Sequence, residues 1–281
     1  MDLDAVHAFM ADVERCMSQP ARRPGEEEIL RVGLDLGTCF TVIVVLDGNG
    51  RPLACEMERS NALKDGVVVD YHAACETVER LKRRAEEKLG RELYECAIAM
   101  PPGTEQTDSR THRYVAQAAG LEVTGLIDEP TAANLVLDIQ DGAVVDIGGG
   151  TTGISVLKNG KVIKVADQPT GGTHLTLVIA GNRHISFDEA EAFKLDLSRQ
   201  MEVLHLTAPV IEKMGQIILD EIAGYDVKTL CLVGGTCCLA GLDRIIEQYT
   251  GIAVVQPENP LLITPVGIAL SHGDPAYALH R

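Results

Sequence analysis

Apolar residues recur at helical spacing at the start of the chain. Leu3, Val6, Met10, Val13 and Met17 form one stripe, with Asp and Glu opposite, which predicts an amphipathic helix over 1–17. Pro20, Pro24 and Gly25 break the pattern, so 1–25 reads as helix plus linker. Two roles stay open for it: packing on its own body, or docking on a partner. From Arg31 the pattern is that of strands. Apolar residues at 32–36 lead through Gly37-Thr38-Cys39 into 42–46, Asp47-Gly48-Asn49-Gly50 is a turn signal, and 52–57 returns as a strand. The plan recurs at 144–147, through Gly148-Gly149-Gly150-Thr151-Thr152 into 154–157, an Asn159-Gly160 turn and 162–165. This repeat predicts a protein built from two related units.

Between the copies, Val78, Leu81, Ala85 and Leu89 stripe a helix whose Glu, Lys and Arg run reads as a solvated face. Residues 96–100 form a short buried strand stopped by Pro101-Pro102-Gly103. Residues 107–119 read as a helix ended by Gly120, and 123–127 as a strand. Glu129-Pro130-Thr131 opens a helix with Pro in its first turn. After the second copy come further helices, a strand at 230–233 ended by Gly234-Gly235, helix and strand alternation to about Leu270, and a polar tail. The order βββαβα, twice, predicts an α/β protein with mixed sheets, with lobe I over 26–142 and lobe II over 143–281.

Composition narrows the function. The 281 residues carry 25 basic and 41 acidic side chains, a net charge of −16, and 46% are apolar, enough for two cores and too many for disorder. The acidic balance argues against coating nucleic acid or an anionic membrane. No apolar run reaches the ~18–20 residues of a spanning helix, and the Met1-Asp2-Leu3-Asp4 start lacks the basic region of a secretory signal. Eight cysteines without Cys-x-x-Cys or zinc spacing read as reduced residues of a cytoplasmic protein.

The candidate chemistry lies in the two hairpins. Each offers a Gly-bearing turn whose N–H groups suit phosphate oxygens, and each carries one Asp, Asp35 or Asp146. Two carboxylates beside a polyphosphate suit Mg²⁺, and Thr38, Thr151 and Thr152 add hydroxyls. No Gly-x-x-x-x-Gly-Lys-[Ser/Thr] occurs, which excludes a P-loop. Residues 148–153 satisfy Gly-x-Gly-x-x-Gly, but a strand and hairpin follow where a dinucleotide fingerprint needs a helix.

Segments 32–38, 129–134, 144–152, 232–242 and 264–270 occur in the order of the five nucleotide-site motifs of the actin-like ATPase superfamily, which the chain resembles over about 31–270. It is similar to the ATPase domain of DnaK-type chaperones, while Leu-Lys-Asp-Gly-Val at 63–67 is closer to MreB. It resembles most an ethanolamine-utilisation branch, through 32–39, Pro101-Pro102-Gly103-Thr104, 144–154, 180–183 and Glu189-Ala190-Glu191. The resemblance implies a duplicated actin-like ATPase fold: two lobes with mixed five-stranded sheets around a nucleotide cleft, outer subdomains reduced. It implies ATP or ADP with Mg²⁺, the metal held through water by Asp35 and Asp146. Gly37, Thr38 and Cys39 would line the phosphates from one side and Gly148, Gly149, Gly150, Thr151 and Thr152 from the other. Glu129 would orient the attacking water, the alternative being a helix-start carboxylate complementing the macrodipole. Gly171 and Gly172 would underlie phosphates or sugar. Glu191 and Lys194 would reach ribose and adenine, the alternative being an i,i+3 surface pair. Gly234 and Gly235 would bed the adenosine or form a plain turn. Cys237-Cys238 beside them is read as packing, with a redox switch as the alternative.

Departures from the superfamily shape the expected function. DnaK-type chaperones continue into a peptide-binding domain that has no counterpart in these 281 residues. The gaps from Leu46 to Lys64 and from Val165 to Val227 are short, so the outer subdomains are expected to be reduced, which puts MreB-like filaments in doubt. Lys64 has no assigned role, and no residue matches the chaperones' catalytic Lys. The resemblance implies a chaperone-like or reactivation protein, with weak ATPase activity, acting on a cobalamin-dependent ethanolamine ammonia lyase or on microcompartment components. It would be cytoplasmic and associated with that bacterial microcompartment. The competing readings are a nucleotide-binding scaffold or sensor with little hydrolysis, and a small-molecule kinase.

Overall fold

The first hairpin is set by its turn. β1 (Leu30–Leu36) and β2 (Phe40–Asp47) pair antiparallel, and β3 (Pro52–Arg59) returns beside β2. Asp47 Oδ1 accepts the Asn49 and Arg51 N–H groups at 2.9 and 3.0 Å, and Gly50, at φ 80°, reverses the chain. The second hairpin has the same order: β8 (Gly142–Ile147), β9 (Thr152–Lys158) and β10 (Lys161–Gln168), with Asn159 and Gly160 at φ 52° and 70°, the two positive angles that a two-residue turn requires. The structure, a computed structural model, describes residues 1–64, 66–100 and 106–279. Asp65 and the Pro101-Pro102-Gly103 stop, with Thr104, lie outside the described residues.

Two compact units result: Met1–Asp138 with Leu262–Arg281, and Ile139–Leu261. The expected boundary at 142/143 lies near the first junction. Residues 262–279, assigned to lobe II by sequence order, belong instead to the first unit.

In the first unit the sheet order is β3-β2-β1-β6-β7, with β6 (Glu95–Met100) and β7 (Glu122–Asp128) parallel to β1. A short hairpin, β4 (Leu63–Lys64) with β5 (Val67–Val68), stands in the first gap. One face is covered by α2 (Tyr71–Leu89), whose stripe Ala74, Val78, Leu81, Ala85 and Leu89 packs on Leu34, Ile43 and Val45 together with Val115 and Ala116 of α3 (Gln106–Ala118). Against the opposite face, α4 (Glu129–Leu137) and α9 (Ile263–Ser271) bring Ala132 and Ile268 onto Ala97, Ala99 and Ile127. α9 and α4 approach so closely that a Cβ on Gly267 would lie 1.8 Å from the Ala132 carbonyl oxygen.

The first helix, α1 (Leu3–Ser18), packs on β3, with Val6, Met10, Val13 and Cys16 buried. The Lys88 ammonium donates to the Met17 carbonyl at 2.6 Å, and the Ala21 N–H donates to Leu53 at 3.2 Å. Of the two roles left open for 1–17, the stripe is spent on its own body: buried apolar side chains are not offered to a partner. The expected polar tail also has structure, since Leu279 N–H donates to Thr124 and Leu126 N–H to Tyr277, an added antiparallel bridge on the edge of β7.

In the second unit the sheet order is β10-β9-β8-β11-β12, with β11 (Thr229–Val233) and β12 (Ala253–Val255) parallel to β8. Helices α5 (Gly172–Arg183), α6 (Phe187–Leu195), α7 (Gln200–Ile222) and α8 (Leu242–Thr250) contribute Leu175, Ala190, Ile211, Ile218 and Ile246 to the core over Val145, Ile147, Ile154 and Val156. Both units thus hold a five-stranded mixed sheet of the expected fold class.

Candidate functional site

The predicted site residues divide between the units. Asp35, Gly37, Thr38, Cys39 and Glu129 lie in the first, and the others lie in the second. In the second unit, β8 carries Asp146 to its C-terminal end, beside Val233 of β11 and Gly153 of β9, and the residue is buried. The chain then turns over Gly148–Thr151. Gly148 N–H donates to the Thr151 carbonyl at 3.0 Å. The start of α5 closes on this turn: Gly172 N–H donates to the Gly148 carbonyl at 3.0 Å and Thr173 N–H to Gly149 at 2.8 Å. Thr236 Oγ1 donates to the same Gly148 carbonyl at 2.7 Å, and Thr152 Oγ1 to Thr170 at 2.5 Å. The Gly148, Gly149 and Thr151 carbonyls are therefore engaged. Among the described residues, the N–H groups of Gly149, Gly150 and Thr151 donate to no backbone carbonyl. Consecutive amides of this kind are what an anion needs.

Gly234 sets the second wall. Its φ of 92° and the contacts of an added Cβ, 2.3 Å from Asp146 Oδ1 and 2.5 Å from the Ile147 carbonyl, leave room for glycine alone. Gly235 opens a short 3₁₀ turn that holds Thr236, a residue the sequence reading missed; its hydroxyl directly after a Gly-Gly strand end was the available signal. Cys237 in the same turn is fully buried and its thiol points at the Val233 carbonyl, 3.0 Å away. Burial, and then the charge of Asp146, push this thiol well up. A thiol held neutral is inert packing, the first of the two readings of Cys237.

Glu191 and Lys194 form their i,i+3 pair at 2.8 Å, but not on the surface: their side chains are 8% and 14% exposed. The Lys194 ammonium also donates to Thr176 Oγ1 at 2.9 Å and to the Gly172 carbonyl at 3.1 Å, and the Thr176 hydroxyl bonds the Glu191 carboxylate. The pair thus ties α6 to the N-terminal part of α5, whose Gly172 bonds the glycine-rich turn directly. His174, also unanticipated, accepts the Gly171 N–H through Nδ1 at 3.2 Å.

In the first unit Asp35 stands on β1 opposite Val42, one residue before the strand ends, and Gly37-Thr38-Cys39 make the connection to β2. The Cys39 carbonyl accepts the Ser60 N–H at 3.0 Å, which anchors the connection to the end of β3. Glu129 is the first residue of α4. The cap is Asp128, whose carboxylate accepts the Thr131 N–H at 3.0 Å, so the helix start is capped without Glu129, which stands in the first turn where a carboxylate complements the dipole. Lys64 is exposed on β4. Among the described residues no three His, Cys, Asp or Glu side chains gather as direct metal ligands.

Comparison with known proteins gives this geometry a family. Residues 54–187 match the MreB/Mbl protein model and 143–279 the cell division protein FtsA model. The chain is 39% identical to ethanolamine utilization protein EutJ of Escherichia coli K12, over 94% of this chain and 93% of that protein. It is 26% identical to a chaperone protein HscA homolog of Methylibium petroleiphilum, over 75% of this chain and 42% of that protein. The crystal structure of EutJ from Carboxydothermus hydrogenoformans superposes with a TM-score of 0.89 at 42% identity, covering 96% of this chain and 99% of that one. MreB5 of Spiroplasma citri bound to ADP shares the fold, with a TM-score of 0.68 at 16% identity over 86% of this chain and 95% of that one. With this identity over nearly its whole length, on an actin-like ATPase fold, the chain belongs to the EutJ family of ethanolamine utilization proteins.

Proposed function

We propose that the chain binds ATP and ADP with Mg²⁺ and acts as a chaperone-like or reactivation protein of ethanolamine utilisation, its client being the ammonia lyase or a microcompartment component. The observation that carries the reading is the glycine-rich turn of the second unit. Its Gly148 and Gly149 carbonyls are engaged by Gly172, Thr173 and Thr236, while three successive amides donate to no backbone carbonyl among the described residues. That arrangement suits a polyphosphate in a protein whose net charge of −16 offers no general attraction for one. Gly234 and Gly235 suit a flat adenosine at the strand end, and Glu191 and Lys194 its sugar and base. Asp35 and Asp146 would hold Mg²⁺ through its waters; Asp146 is a buried carboxylate at a strand end, the oxygen chemistry that a hydrated Mg²⁺ prefers. Glu129 would orient the attacking water. The HscA likeness supports the chaperone class, and the ADP-bound MreB5 supports the nucleotide.

The sequence offers no match to the chaperones' catalytic Lys, which favours a second reading: nucleotide binding with little hydrolysis, a scaffold or sensor. Calorimetric titration with ATP and ADP, with and without Mg²⁺, tests the first step. Saturable binding that the Asp146→Asn variant loses supports the site; equal binding by that variant overturns it. Steady-state ADP release then separates motor from sensor, and co-purification from cells making the whole pathway identifies the client.

A further inference from the structure

We propose that the outer face of α3 is a docking surface for an acidic peptide segment of a partner protein, one that carries apolar residues between its carboxylates. Buried Val115, Ala116 and His112 hold α3 to its unit. Arg110, Arg113, Tyr114 and Gln117, at i, i+3, i+4 and i+7, share the other side of the helix. Among the described residues these four line a cavity of about 200 Å³. The rim continues beyond the helix: the Tyr71 hydroxyl donates to the Tyr114 carbonyl at 3.2 Å, and Tyr71, Val67 and Val69 are all about half exposed or more, as is Tyr114. Exposed tyrosines beside arginines are the composition of a binding anchor rather than of a solvated helix face, and the valines add apolar surface next to them.

Charge decides the occupant. The chain has 41 acidic residues, yet among the described residues no carboxylate pairs with Arg110 or Arg113, whereas Arg80 and Arg84 of the neighbouring helix are paired with Glu58. At physiological salt, screening over ~8 Å hides most of the −16, so a ligand at this face meets the two guanidinium groups. They fit carboxylates in bidentate geometry, and the tyrosine and valine rim fits apolar side chains next to them. Nucleic acid and anionic membranes need a longer basic tract than two arginines on an acidic protein. The proposal does not depend on nucleotide binding.

The test uses the full chain and fluorescence anisotropy with three labelled peptides: one alternating Glu with Leu and Phe, its Lys-for-Glu counterpart, and an all-Glu peptide. Saturable binding is expected for the first alone. It should weaken about tenfold in the Arg110→Glu/Arg113→Glu variant and several-fold in Tyr114→Ser. The double variant should in turn gain binding of the Lys peptide. Thermal melting confirms that both variants fold. No saturable binding, equal binding by the variants, equal binding of the all-Glu peptide, or a preference for anionic vesicles or single-stranded DNA over the first peptide would each overturn the proposal.

Discussion

The hydroxyl of Thr236 donates to the carbonyl of Gly148 at 2.7 Å, joining the turn after β11 to the turn after β8. This bond, with those from Gly172 and Thr173, fixes the peptide planes of the glycine-rich turn. Thr236→Val keeps the shape and removes the donor. We expect about 1 kcal/mol lower stability and several-fold weaker ATP binding, since the Gly149 and Gly150 amides lose their preset direction. Denaturant unfolding and calorimetric titration measure the two effects separately, and unaltered affinity would detach Thr236 from the site.

Lys194 neutralises a buried carboxylate. Lys194→Met removes the ammonium partner of the buried Glu191 side chain and should cost about 3 kcal/mol. Adding Glu191→Gln should recover most of that stability, because an uncharged pair no longer pays for desolvation. Thermal unfolding of the two single variants and the double one gives the coupling directly.

Gly267 tests the contact between α4 and α9. A Cβ there collides with the Ala132 carbonyl oxygen, backbone that cannot rotate away. Gly267→Ala should lower stability by more than about 2 kcal/mol, although Ala favours helices. A melting temperature equal to the parent's would mean that the helices separate freely.

His272 makes stability depend on pH. Its Nδ1 accepts the Val32 N–H at 2.9 Å and its Nε2 contacts Thr124 Oγ1 at 3.0 Å, so the ring is neutral with its proton on Nε2. Burial, with Arg31 nearby, lowers its pKa from 6.5 to about 4. Unfolded chains therefore bind a proton that folded ones refuse, and stability falls as pH drops through this window. The residue should account for about 2 kcal/mol of loss between pH 7 and pH 5. Urea unfolding at both pH values should show that loss in the parent and a smaller one in His272→Gln.

What the sequence revealed was local. Asp47, Asn49-Gly50 and Asn159-Gly160 name their hairpins because turn geometry restricts the residues that can occupy it. Asp35, Asp146 and Gly148–Thr151 stood out because the two copies show the same order at the same strand ends, and Gly234 because a Gly-Gly pair ends an apolar strand. Contacts set by distant partners were not readable. An i,i+3 spacing makes Glu191 and Lys194 a pair but cannot say that α5 buries it, and nothing near Thr236 names Gly148. The stripe on α1 predicts a buried face and is silent on which strand covers it.

The position of α9 in the chain gives the protein a temporal order. Ile139–Leu261 is one continuous stretch, whereas the first unit needs Leu262 onward to complete it. On the ribosome, β1 and α4 emerge early and wait, their α9-facing surfaces uncovered, through the synthesis of the entire second unit. The portion begun first is finished last, and in that interval its exposed strand and helix are what a nascent-chain chaperone would meet.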